Sequence, residues 1–162
     1  MERNEQLNEV LNDLVRINND RVEGYEKAIE ETKEKDADLR AVFHRMADES
    51  KQYASELRNE IARNGGEIAT DTTFSGKIYR MWMDVKAVFT GKGRQSVLAS
   101  CEYGEDAAQK AYEEALRTDA PLPADVRQLI VNQKASLKTA HDTIKQWRDS
   151  YRESDNEGRR AD

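Results

Sequence analysis

The sequence contains few residues that break helices and few that cross-link a chain. It has 2 prolines, 8 glycines and 1 cysteine among 162 residues. This scarcity, together with 36% charged residues, predicts an all-α protein. Cys101 has no cysteine partner within the chain, which excludes an intramolecular disulfide and favours a reducing compartment. We expect it to pack as a small core residue.

Long apolar runs and excess positive charge are also missing. No run approaches the roughly 20 apolar residues that cross a bilayer, and no signal-peptide pattern opens the chain. The formal net charge of −6 gives no electrostatic reason to bind nucleic acid. We therefore expect a cytoplasmic, bacterial-type protein with no transmembrane segment and no nucleic-acid partner.

Apolar residues at helical spacing predict four long helices. Their approximate ranges are 4–33, 39–61, 95–117 and 123–151. Asn64-Gly65-Gly66 ends the second helix, because glycine accepts a positive φ just past a helix end. The breaks after the first and third helices are short, so we expect two antiparallel hairpins.

The hairpins are joined by a long crossover, about residues 65–94, which contains an amphipathic segment from Ile78 to about Thr90. This segment predicts a short helix within the crossover. Two hairpins joined by one crossover are typical of ferritin-like four-helix bundles. We expect one such domain over residues 1–151, followed by a frayed polar tail over 152–162.

Several local segments carry a resemblance to a known family. They are Asn18-Asn19-Asp20-Arg21-Val22-Glu23-Gly24-Tyr25, Phe89-Thr90-Gly91, Cys101-Glu102-Tyr103-Gly104-Glu105-Asp106 and Ala140-His141-Asp142. In these segments the chain resembles a bacterial family of ferritin-like four-helix-bundle proteins of unknown function, over roughly Leu7 to Tyr151. The resemblance implies a ferritin-like bundle and no particular reaction.

Ferritin-like bundles often hold two metal ions, with a Glu on each of two helices and a Glu-x-x-His motif on each of the other two. Both motifs fail here. Glu49 is followed three residues later by Gln52, and His141 is preceded three residues earlier by Lys138. We therefore expect no complete di-metal centre and no cofactor beyond a single divalent metal.

A polar layer is predicted near the middle of the bundle. Glu105 and His141 fall at matching heights on the last two helices, and Arg21 lies level with Glu49 or Ser50 on the first two. An unpaired charge in a core is costly, so the pattern favours Glu105 pairing with His141 or Arg21. The alternative is one metal ion bound by Glu105 and His141, with Glu49 or Glu102 assisting.

The crossover suggests two modes of association. Its basic residues outnumber its acidic residues, which is compatible with a weak membrane-surface contact. The basic residues are Lys77, Arg80, Lys86, Lys92 and Arg94. Apolar residues of the crossover and the third helix instead favour a homodimer; they are Met81, Trp82, Val88, Phe89, Leu98 and Leu116. We predict the homodimer.

The function predicted from the sequence is that of a non-catalytic binding, structural or stress-related bundle with a degenerate metal site. The alternative is a metal-dependent oxidoreductase or a metal-storage protein that uses Glu105 and His141. The missing Glu-x-x-His motifs oppose this alternative.

Overall fold

The computed structural model describes residues 2–32, 36–69 and 94–161. In these ranges the chain forms four α-helices and no strand, which confirms the all-helical prediction. The helices are α1 (Glu2–Glu31), α2 (Ala37–Arg63), α3 (Arg94–Leu116) and α4 (Ala124–Ala161). None of these helices is long and apolar enough to span a membrane. The predicted short helix over 78–90 and the basic residues from 77 to 92 lie outside the described ranges.

The fourth helix is longer than its apolar spacing predicts. It continues to Ala161, beyond the expected end near residue 151, and the frayed tail over 152–162 stays a prediction. Apolar periodicity detects only a stretch that carries an apolar face, and residues 152–161 contain one apolar residue, Ala161.

The end of α2 is closed by the predicted glycine turn. Gly65 has a φ of +72°, its N–H donates to the Ala62 carbonyl at 3.0 Å, and the Gly66 N–H donates to the Ile61 carbonyl at 2.9 Å. These two bonds are those of a Schellman motif, in which the left-handed residue is usually glycine. The turn thus satisfies carbonyls that the helix end leaves unpaired.

Side-chain contacts give the direction of each helix. Within each hairpin, early residues of one helix contact late residues of the other: Asn8 with Asn64, Glu26 with Lys51, Glu102 with Arg148 and Gln109 with Lys134. The same descending order relates α1 to α3, because Asn18 contacts Tyr112 and Tyr25 contacts Glu105. Since α1 runs antiparallel to both α2 and α3, those two helices run in the same direction.

The start of the link after α2 is held against α1. The Asn12 side chain donates to the Glu67 carbonyl at 2.9 Å and accepts from the Ala69 N–H at 2.8 Å. One amide therefore bonds two backbone groups of an extended segment, much as a neighbouring strand would. The described start of the link, residues 66–69, is thus anchored to α1 through Asn12.

Apolar side chains form two clusters, one toward each end of the bundle. The first contains Leu7, Leu11, Leu14, Leu57, Tyr112 and Ile130 among others. The second contains Tyr25, Phe43, Met46, Leu98, Cys101 and Ile144 among others. Leu98, which the sequence assigns to the apolar surface that favours a homodimer, is fully buried, because α3 packs against both α1 and α4 and its buried face is wide.

Candidate functional site

A buried ion pair occupies the bundle between the two apolar clusters. Arg21 on α1 donates to Glu105 on α3 through both Nε and Nη2, with Nε at 3.0 Å from Oε1. The Tyr25 hydroxyl donates to the same carboxylate oxygen. The Arg21 and Glu105 side chains are only 2% and 1% exposed, so this pair lies in the core and is not screened by water.

The ion pair begins a continuous polar network. Arg21 also donates to the Ser50 hydroxyl on α2, and that hydroxyl donates to Asn18 Oδ1 at 3.1 Å. Asn18 Nδ2 donates to the Tyr112 hydroxyl at 2.9 Å, which donates to Gln133 Oε1 on α4 at 2.6 Å. The polar network, defined here as Asn18, Arg21, Tyr25, Ser50, Glu105, Tyr112 and Gln133, includes residues from all four helices.

Burial and neighbouring charges shift the pKa values of several residues in and beside this network. Burial opposes the charged guanidinium of Arg21, but the Glu105 carboxylate beside it more than compensates, and the net effect raises the Arg21 pKa. Burial is the main cause that raises the pKa of Tyr25, Cys101 and Tyr112, and Glu105 adds to it for Tyr25 and Cys101. The two phenols and the thiol therefore stay neutral around an ionised Arg21.

Glu49 takes no hydrogen bond in the polar network. Its Oε1 lies 4.0 Å from Arg45 Nε on the same helix, and its side chain is 36% exposed. Partial burial raises the pKa of Glu49 above its ordinary value, while Arg21 lowers it. Among the residues level with Arg21 on α2, Ser50 makes the direct contact.

His141 lies in a second group of residues, between α3 and α4. Its Nε2 is 2.6 Å from Asp106 Oδ1, and its Nδ1 is 3.2 Å from Asp142 Oδ1. Glu102, one turn before Asp106, pairs with Arg148. One ligand atom from each of Glu102, Asp106 and His141 lies within 4.8 Å of the others. We call these three residues the α3–α4 cluster.

The structure thus separates residues that the sequence placed together. Glu105 pairs with Arg21 in the core, whereas His141 and Glu102 belong to the α3–α4 cluster, and Glu49 belongs to neither group. Sequence reasoning missed Asp106. Asp106 follows Glu102 by four residues, and residues four apart share one face of a helix. This spacing could have identified Asp106 as a neighbour of Glu102.

Comparison with known proteins places the chain in a family without assigning it an activity. No curated protein matches the sequence. The match to a family model covers residues 6–118, which includes α1, α2 and α3 with Arg21, Glu49 and Glu105. His141 on α4 lies outside the matched range. Because the match covers more than half of the chain, the protein belongs to the family described as Domain of unknown function (DUF2383).

Proposed function

We propose that this protein is a ferritin-like bundle that acts as a structural or binding protein and not as an oxidase. The parallel directions of α2 and α3 support a ferritin-like connectivity, because a link between parallel helices must return along the length of the bundle. The buried polar network and the two apolar clusters give such a role a stable framework.

The observation that carries this proposal is the Arg21–Glu105 pair. Metal sites in bundles are built from side chains that project inward on facing helices, and here those positions hold a guanidinium and its carboxylate partner. Arginine remains protonated in proteins. A metal ion bound at Glu105 would meet a fixed positive charge in a region with little screening.

The alternative function, an oxidoreductase or storage protein that uses Glu105 and His141, requires both residues at one centre. Glu105 bonds Arg21 and Tyr25, while His141 contacts Asp106 and Asp142. The two candidate ligands therefore belong to separate groups. This separation supports the non-catalytic proposal.

Iron titration tests the proposal. Tag-free protein, stripped of metals, is titrated with ferrous iron without oxygen and then exposed to oxygen. We expect no ferroxidase absorbance change from a di-iron centre. Two irons per chain that are oxidised together, and that are lost in Glu105→Gln, would contradict the proposal. A single iron retained in Glu105→Gln is compatible with it.

Association with a second copy or with a membrane remains part of the proposal. Leu98 is fully buried and Leu116 is partly buried, so α3 supplies less apolar surface for a homodimer than the sequence indicated. Apart from Arg94 at the start of α3, the crossover residues of both predictions lie outside the described ranges. Light scattering at micromolar concentration tests the predicted homodimer. Sedimentation with anionic liposomes tests the alternative, and a monomer that sediments only at low salt would replace the dimer.

A further inference from the structure

We propose that the α3–α4 cluster binds one divalent transition-metal cation. Glu102 and Asp106 stand one turn apart on α3, and His141 faces them from α4. Two helices therefore supply an imidazole nitrogen and two carboxylate oxygens to one small region. This combination differs from a group of surface acids, because a nitrogen ligand from a second helix converges on the carboxylates.

The spacing of the cluster fits a single ion after a small side-chain rotation. Its ligand atoms lie within 4.8 Å of one another. A cation with bonds of about 2.0–2.2 Å holds its ligand atoms at most about 4.4 Å apart. Asp106 Oδ1 and His141 Nε2 are 2.6 Å apart, closer than two ligand atoms of one ion, so Asp106 has to rotate away from the ring. Its side chain is 54% exposed and can do this without disturbing the core. The backbone of α3 and α4 need not move.

The ligand types select the class of metal. Two carboxylates neutralise a divalent charge, and an imidazole favours Zn²⁺, Co²⁺, Ni²⁺ or Fe²⁺ over Mg²⁺ and Ca²⁺, which prefer all-oxygen sites. Three protein ligands leave positions for water. The cluster is therefore suited to a mononuclear site of modest affinity.

A fourth residue orients the histidine. Asp142 Oδ1 lies 3.2 Å from His141 Nδ1, on the other side of the ring from the cluster. Histidine ligands commonly donate their second ring N–H to a carboxylate, which fixes the tautomer and leaves the other nitrogen free to bind metal. Without metal, the 2.6 Å contact between Nε2 and Asp106 is a hydrogen bond that Nε2–H donates. A metal ion replaces that proton, and with Nδ1 donating to Asp142 the freed Nε2 lone pair binds the ion.

Arg148 competes with a bound metal ion for the Glu102 carboxylate. It pairs with Glu102 and also with Asp149. A cation that binds Glu102 has to displace this guanidinium, and Asp149 can retain Arg148 when it leaves. Arg148 should therefore weaken metal binding. Removal of Arg148 should raise the affinity, whereas removal of a ligand should lower it.

The test uses the full-length, tag-free protein after removal of metals with a chelator. Zn²⁺ binding is measured by calorimetry, and Co²⁺ binding is measured by visible absorbance. We expect one ion per chain. His141→Ala should weaken Zn²⁺ binding more than about tenfold, Asp106→Asn should weaken it as well, and Arg148→Gln should strengthen it several-fold.

Matched controls separate this site from adventitious binding. His44, the other histidine of the chain, is exposed on α2, and His44→Ala should leave the affinity unchanged. Asp106→Asn preserves size at an exposed position, so it tests the site even if His141→Ala perturbs folding. No ion bound by the wild type, unchanged affinity in both cluster variants, or loss in His44→Ala overturns the proposal. Because Glu105 is not a ligand, an ion held by the α3–α4 cluster would be retained in Glu105→Gln, which distinguishes this site from a di-iron centre.

Discussion

The Tyr112 hydroxyl donates a hydrogen bond to Gln133 Oε1 at 2.6 Å, and this contact joins α3 to α4 inside the core. Gln133 in turn donates through Nε2 to the Tyr53 carbonyl on α2 at 3.2 Å. Both Tyr112 and Gln133 are buried. Each polar atom at this end of the network therefore depends on a protein partner in place of water.

Replacement of Tyr112 by Phe tests that dependence. Tyr112→Phe removes the donor to Gln133 and leaves a buried amide oxygen without its partner, which should lower the free energy of unfolding by about 1–3 kcal/mol. Urea denaturation measures the loss. Tyr103 is 42% exposed on the same helix, so Tyr103→Phe is the control and should change stability by less than about 0.5 kcal/mol. Equal effects of the two variants would contradict the prediction.

The Arg21–Glu105 pair should show a large single-mutant cost. Arg21→Met leaves the buried Glu105 carboxylate without its counter-ion, and the expected loss is about 3–5 kcal/mol. The double variant Arg21→Met/Glu105→Gln should recover part of it, because no buried charge remains. Arg45→Ala removes only an exposed contact to Glu49 and should change stability little. A double variant less stable than Arg21→Met would refute this account of the pair.

Alkaline pH should destabilise the fold. Burial raises the pKa of Tyr25, Cys101 and Tyr112, whereas in the unfolded chain thiols and phenols release protons near about 8.5 and 10. Above those values the unfolded state binds fewer protons than the folded state, so the free energy of unfolding falls as pH rises.

The measurement is the urea midpoint at a series of pH values from about 8 to 11. Cys101→Ala removes the lowest of the three ordinary pKa values, and it should therefore flatten the first part of the decline. A midpoint that rises with pH over this range would contradict the assignment. The same burial should make Cys101 react slowly with thiol reagents until the protein is unfolded.

The turn after α2 gives a prediction that concerns only backbone conformation. A Cβ at Gly65 would meet no atom within 4 Å, yet the residue has a φ of +72°. Gly65→Ala should therefore destabilise the protein by about 1–2 kcal/mol through strain alone. Gly65→Asn should cost less, because asparagine tolerates this region better. Thermal melting of the two variants gives the ranking, and a neutral Gly65→Ala would show that the turn differs in solution.

The sequence predicted the helices and the α2 turn better than it predicted the site. Helical periodicity gives the height of a residue and the face it occupies, so the level of Glu105 and the end at Asn64 followed from spacing. It does not give the rotation of one helix relative to another. That rotation directs Glu105 toward Arg21, one of the two partners that the sequence offered, and His141 toward Asp106, and only the packed structure could make this choice.

The polar network also determines how the two hairpins align. The face of α3 in the first apolar cluster is lined by alanines at positions 107, 108, 111 and 115, with Tyr112 as its large side chain, and the alanines alone distinguish poorly between neighbouring alignments along a partner helix. A slip of one helical turn, about 5.4 Å, would cost little in alanine packing but would separate the Arg21 guanidinium from its carboxylate. The buried Arg21–Glu105 pair therefore favours one alignment of the two hairpins over neighbouring alignments that the alanine contacts alone would tolerate.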